Sequence, residues 1–175
     1  MKSLLICLSI FFCFSGTSFA STGMCVKGDC ANGNGDYIWE DGSTYSGSWK
    51  NKKRDGTGTM IFTDQDETYS GQWKDGKRHG TGTMTYFDGE KYSGQWKKDQ
   101  KNGIGKVTFP NGEYYTGEMV NDNWHGKGTY TYTDNSVFKG TWNNNRMHGP
   151  GLYTYPDGTT QKVEYQYGVQ VEKDK

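Results

Sequence analysis

The chain has 175 residues, of which 31% are hydrophobic, 15% aromatic and 26 in number glycine, and its 20 basic residues balance its 20 acidic ones. That balance, with no long block of one sign, excludes the electrostatic footprint of a nucleic-acid binder and strong attraction to anionic lipid. So little aliphatic material also excludes a conventional core, so any fold has to draw on its rings.

The first segment reads as a secretory signal peptide, residues 1–20. Lys2 gives a positive start, Leu4 to Phe14 is an apolar run, and Ser18-Phe19-Ala20 is a small-x-small cleavage site. The run is about half of the roughly 20 residues a membrane span needs, and Ser15-Gly16 ends it. Neither Cys7 nor Cys13 follows the Leu-small-small pattern of a lipoprotein anchor. The expected product is soluble and exported, periplasmic or extracellular. It keeps two cysteines, Cys25 and Cys30 in CVKGDC, and so close a pair in an exported chain predicts a disulfide. Zinc would need two further ligands nearby, and the three histidines are far off in sequence. Residues 21–36 are therefore expected to form a disulfide-tied N-terminal cap.

From Tyr45 one unit recurs five times: YSGSWKNKKRDGTG, YSGQWKDGKRHGTG, YSGQWKKDQKNGIG, YTGEMVNDNWHGKG and FKGTWNNNRMHGPG, starting at Tyr45, Tyr69, Tyr92, Tyr115 and Phe138. A fixed period of this size marks a chain that stacks one small supersecondary element. In Tyr69-Ser70-Gly71-Gln72-Trp73, rings and glycine alternate with polar side chains, the period of a strand. After a turn over Asp75 to Arg78, alternation resumes from His79 and puts Gly80, Gly82, Met84 and Tyr86 on one face. Phe87-Asp88-Gly89-Glu90 then turns back, Asp-Gly being a strong hairpin signal. Glycine weakens an ordinary strand, so the paired Gly-x-Gly is expected to make room for a ring from the next strand. Gly33, Gly35, Tyr37, Trp39 and Asp41-Gly42 repeat the second half of this unit upstream. The expected organisation is a repeat array over 37–160, five full copies and a preceding half-unit, with a terminal strand (Val163, Tyr165, Tyr167) and charged tail in 161–175.

Tyr-x-Gly-x-Trp, a short Gly or charged turn, then His-Gly-x-Gly at this period resembles the MORN family (membrane occupation and recognition nexus repeats). The resemblance runs from Gly33 to about Gly158. Asp55 and Asn102 depart from the motif histidine, Met119 from Trp and Phe138 from Tyr; the first repeat has an extra residue within Thr63 to Glu67 and lacks the turn glycine. The resemblance implies an all-β fold, an elongated single-layer antiparallel β-meander of hairpins with a shallow groove. It also implies protein association, scaffolding or dimerisation, and membrane association in some members.

No residue reads as catalytic. His79, His125 and His148 share one repeat position with Asp55 and Asn102, which suits a hydrogen-bonding strand end better than a general base. Asp64, Asp66 and Glu67 lack the glycine-centred twelve-residue loop of an EF-hand, and Lys50, Lys52, Lys53 and Arg54 make a basic turn whose neighbouring turns contain Asp75, Asp99 and Asp122, predicting a mixed solvated edge. No phosphate loop, nucleophile elbow or metalloprotease helix occurs. No metal and no cofactor is therefore expected. The binding candidates are the ring ladder Tyr45, Trp49, Tyr69, Trp73, Tyr92, Trp96, Tyr115, Phe138 and Trp142. If the sheet curls, these rings line a groove; if they pack flat on glycines, little ring surface remains. The sequence thus points to a non-catalytic exported module for protein association or self-association (a dimer) through the groove or an edge strand, with a membrane surface or cell-wall carbohydrate as alternative targets.

Overall fold

A computed structural model describes residues 22–171, which form one open antiparallel sheet of fourteen strands arranged in sequence order. The strands are β1 (Gly23–Gly28), β2 (Asn34–Trp39), β3 (Thr44–Lys50), β4 (Lys53–Phe62), β5 (Glu67–Lys74), β6 (Lys77–Thr85), β7 (Lys91–Lys97), β8 (Gln100–Thr108), β9 (Tyr114–Val120), β10 (Asn123–Thr131), β11 (Val137–Asn143), β12 (Arg146–Thr154), β13 (Thr160–Gln166) and β14 (Val169–Gln170). The expected all-β meander is what forms. The signal peptide and the charged end of the tail lie outside the described residues.

Two turn types alternate. Within a repeat the strands join through two residues, Asn51-Lys52, Asp75-Gly76, Lys98-Asp99, Asn121-Asp122 and Asn144-Asn145, and both members of each pair have positive φ. That is the geometry of a type I′ turn, whose twist matches the strands and which selects Asn, Asp and Gly. The second strand consequently starts at Lys77 rather than at His79. Between repeats an aromatic-x-Asp/Asn-Gly turn closes on itself: the Gly89 N–H donates to the Tyr86 carbonyl (3.0 Å) and the Glu90 N–H to Asp88 Oδ1 (2.9 Å). Where the first repeat lacks that glycine, Asp66 takes the left-handed conformation (φ 51) and a 3-10 turn, Thr63–Gln65, absorbs the extra residue.

The two glycines of each Gly-x-Gly have different tasks, which corrects the expectation that both make room for rings. In the second repeat Gly71 pairs with Gly82 and Trp73 with Arg78, so a bulge lies between them. Gly80 occupies the bulge at φ +61, a conformation other L-residues adopt only with strain. Gln72 completes the bulge by accepting the Thr81 N–H (2.8 Å), as Gln95 does for Ile104 (2.7 Å) and Glu118 for Lys127 (2.9 Å). Gly82, by contrast, lies under the Tyr69 ring: a Cβ there would sit 2.5 Å from Tyr69 Cζ.

The sheet ends are short. Cys25 and Cys30 are joined in a disulfide at the β1–β2 hairpin, where the pairing is bulged between Cys25 and Lys27. At the other end Val163 and Tyr165 are in β13, whereas Tyr167 is in a turn (φ 49) that leads into the two-residue β14. Replacing Gly82 by Ala is expected to cost about 3 kcal/mol by overpacking. Gly112→Ala, at a turn with open space around it but φ +90, is expected to cost about 1 kcal/mol from backbone strain alone. Urea midpoints for the two variants check that order.

Candidate functional site

The ladder is the core. Tyr45, Tyr69, Tyr92, Tyr115 and Phe138 are fully buried, and Trp49, Trp73, Trp96 and Trp142 are at most 8% exposed. Each tyrosine ring lies across the glycines of its own strand and of the next, and its hydroxyl donates to the carbonyl three residues on: Ser48 (3.0 Å), Gln72 (2.9 Å), Gln95 (2.7 Å) and Glu118 (2.9 Å). The indole N–H of Trp49, Trp73 and Trp96 donates to the carbonyl of Gly35, Gly58 and Gly82 respectively at 3.0–3.1 Å. Rings of successive repeats meet edge to face: Tyr45 with Trp73 (5.5 Å, 87°) and Tyr69 with Trp96 (5.4 Å, 88°). Such pairs add about 0.5–1.5 kcal/mol each beyond burial.

A row of cations closes the ladder from above. The Arg54 guanidinium lies 4.2 Å from the Trp73 ring centroid and that of Arg78 4.4 Å from Trp96, while their Nη2 atoms donate to the carbonyls of Gly76 (2.8 Å) and Asp99 (3.0 Å). Lys101 stands at the equivalent place, paired with Glu90 (3.3 Å) above the Tyr86 ring. Of the two geometries open to the sequence, flat packing on glycine is the one adopted, and the nine ladder rings lack the exposed surface a groove would need.

Uncovered aromatic surface lies beside the ladder, in the fourth and fifth repeats. There the lid position holds Trp124 and Met147 instead of a cation. Trp124 stacks on Tyr115 (4.4 Å, 5°) and meets Trp142 edge to face (5.1 Å, 89°). Around it Phe109, Tyr130, Tyr132 and Tyr153 are half-buried and Tyr155 is exposed. The shelf is held by hydroxyl contacts: Tyr130 donates to Glu113 (2.6 Å), Tyr132 and Tyr153 share a hydrogen bond (2.7 Å), and Tyr155 donates to Gln161 (2.7 Å). Burial, then the Glu113 carboxylate, raises the Tyr130 pKa, and the same hydrogen bond lowers that of Glu113. None of these shelf tyrosines is among the rings that the sequence offers as binding candidates. The signal passed over was one repeat position reading Arg54, Arg78, Lys101, Trp124, Met147.

The histidine position serves the turn of the following hairpin. Asp55 accepts the Asp75 N–H (3.2 Å), His148 Nδ1 accepts the Tyr167 N–H (3.3 Å), and Asn102 donates to Asn121 (3.5 Å). His125 Nδ1 is buried without a partner. Among the described residues no group of His, Cys, Asp and Glu is arranged to hold a metal ion. What the geometry offers is a single open sheet with a polar-rimmed aromatic shelf.

Trp73→Ala removes a ring from the middle of the ladder, and a loss of about 3–5 kcal/mol in urea unfolding is expected. The fifth repeat is incomplete, since Phe138 lacks the hydroxyl and Trp142 Nε1 is buried without an acceptor. Phe138→Tyr restores the bond to the Thr141 carbonyl and is expected to gain about 1 kcal/mol. Burial also raises the hydroxyls of Tyr45 and Tyr69 from 10.0 to about 12. Because the unfolded tyrosines ionise first, their contribution is complete below pH 10 and declines as pH rises towards 12. Tyrosinate absorbance from these buried rings is expected to appear as a step together with unfolding in that window, above whatever the exposed tyrosines contribute.

A MORN-repeat family model matches residues 31–44, 45–67, 69–91, 92–114, 115–137 and 138–160. The first match is the half-unit, and Thr68, left between two copies, reflects the extra residue of the first repeat. No curated protein matches the chain. Among solved structures it is similar to the SAS-4 (dCPAP) TCP domain of Drosophila melanogaster in complex with a proline-rich motif of Ana2 (dSTIL), at 13% identity and a TM-score of 0.49 over 87% of this chain and 97% of that one. It is similar also to the TCP10c domain of Drosophila melanogaster Sas-4 (12% identity, TM-score 0.41, 81% and 98% covered). A third is the TCP10 domain of Danio rerio CPAP with a peptide of Danio rerio STIL (14% identity, TM-score 0.25, 84% of each covered). At such identities and TM-scores these likenesses bear on neither partner nor function. Six consecutive matches covering most of the chain, on a sheet built from that one hairpin, make this protein a member of the MORN-repeat family.

Proposed function

We propose that the chain is a non-catalytic, exported association module that holds a protein partner on the aromatic shelf of its fourth and fifth repeats. The observation that carries this reading is the change at the lid position. In the first three repeats Arg54, Arg78 and Lys101 seal the rings, whereas around Trp124 the rings of Tyr132, Tyr153 and Tyr155 keep open surface within a polar rim. Tyrosine and tryptophan of this kind are favoured at protein contacts, because one end is apolar, the other forms hydrogen bonds, and little side-chain entropy is lost. Edge-strand addition is the weaker route: β1 is bulged and tied back by its disulfide, and β14 is two residues long. The Cys25–Cys30 bridge supports an oxidising compartment.

Peptides selected from a display library on the purified chain provide the test. Tyr132→Ala with Tyr155→Ala is expected to weaken their binding at least about tenfold, the loss of one good contact, while the thermal midpoint stays within a few degrees of the parent. Binding indifferent to this pair, or retention on anionic liposomes or insoluble cell-wall glycan in place of peptide binding, would reject the shelf as a protein site.

A further inference from the structure

Because every hairpin alternates its two turn types, the sheet has two long rims, and the charges of the chain are sorted between them. The type I′ rim of the first three full repeats carries exposed Lys50, Lys53, Lys74, Lys77, Lys97 and Lys98, offset by Asp55, Asp75 and Asp99. Two of those carboxylates are already engaged, Asp75 with Lys53 (3.7 Å) and Asp99 with Arg78 (3.5 Å). The opposite rim has a carboxylate at each turn, Glu40, Asp64, Asp88, Glu113, Asp134 and Asp157, with Lys91 beside them and the Lys101 ammonium reaching Glu90 (3.3 Å). The type I′ rim thus bears both signs, with the basic residues in excess. Turns that alternate in sequence stand on opposite sides of the sheet, so a chain of zero net charge has one basic and one acidic border.

The two borders also share one spacing. Each successive turn on a rim is two strands further along, about 10 Å at the usual strand separation. We propose that the rims are complementary docking edges and that their occupant is a second copy of this chain, the basic rim of one molecule facing the acidic rim of another. This deepens the association reading and rests on it. A second copy is the partner of choice because it supplies the opposite charge at the same rise, so that turn meets turn over several repeats. The patches in contact differ between the two molecules, so the contact is heterologous and additional copies can join. Single exposed ion pairs are weak, so docking depends on several together and is screened by salt.

Sedimentation of the purified chain at about 20 mM and about 300 mM salt reads this directly, because the screening length shortens severalfold between them. Concentration-dependent growth in mass is expected at low salt and a monomer at high salt. Two variants reverse one rim each at exposed positions outside the turn hydrogen bonds: Lys50→Glu, Lys74→Glu and Lys97→Glu for the basic rim, and Glu40→Lys, Asp64→Lys and Thr133→Lys for the acidic one. With thermal midpoints like the parent, each alone is expected to stay monomeric at low salt, and mixing the two is expected to restore association. A wild-type monomer at low salt, association indifferent to salt, a reversed variant that associates alone, or a mixture that stays monomeric would overturn the proposal. Peptide binding to the shelf is read separately. Loss of rim docking with shelf binding intact rejects this inference alone, whereas binding indifferent to the shelf rejects the earlier reading.

Discussion

A tyrosine ring lying flat on the bare backbone of two adjacent strands is the contact on which this fold depends. A single-layer sheet has no second layer to bury a face against, so its apolar groups must be covered from within. Glycine at facing positions, such as Gly71 and Gly82, lets the ring descend to the main chain. Its hydroxyl then reaches the Gln72 carbonyl, and its edge meets Trp96 of the next repeat. Burial of about 1.5–3 kcal/mol per ring is thus joined to a satisfied hydrogen bond and a link between repeats. The disfavoured glycine and the scarce aliphatic residues have one explanation.

The consequences for function follow from how completely that contact is closed. A ladder of buried rings, with Arg54 over Trp73 and Arg78 over Trp96, is structural, and the tendency to read periodic aromatics as a binding row fails because little ring surface is left exposed. Departures from the repeat are therefore more informative than the repeat itself. Trp124 in the place of a cation opens aromatic surface, and Phe138 in the place of tyrosine leaves the fifth unit one hydrogen bond short.

Much of this was legible in the residues alone. Period-two alternation from Tyr69 to Trp73, the Asp88-Gly89 turn and the fixed repeat specified hairpins, their order and their antiparallel pairing, because each is a local signal with one structural solution. The pairing of Cys25 with Cys30 was legible for the same reason. Roles within the Gly-x-Gly were not. Gly80 and Gly82 look alike in sequence, yet one answers a backbone angle and the other a ring that arrives from a neighbouring strand. Similarly, Gln72 reads as a solvent-facing residue until the bulge brings the Thr81 N–H to it.

The sequence by itself determined the hairpin and its repetition, since these are set by neighbours along the chain. The tertiary structure decided which aromatic surface is free and where charge collects. Both depend on residues about one repeat apart in sequence: Arg54 covers Trp73, and Asp64 and Asp88 stand on one rim while Lys74 stands on the other. A meander makes distance along the chain a poor guide to distance across the sheet, because every turn reverses the direction of travel.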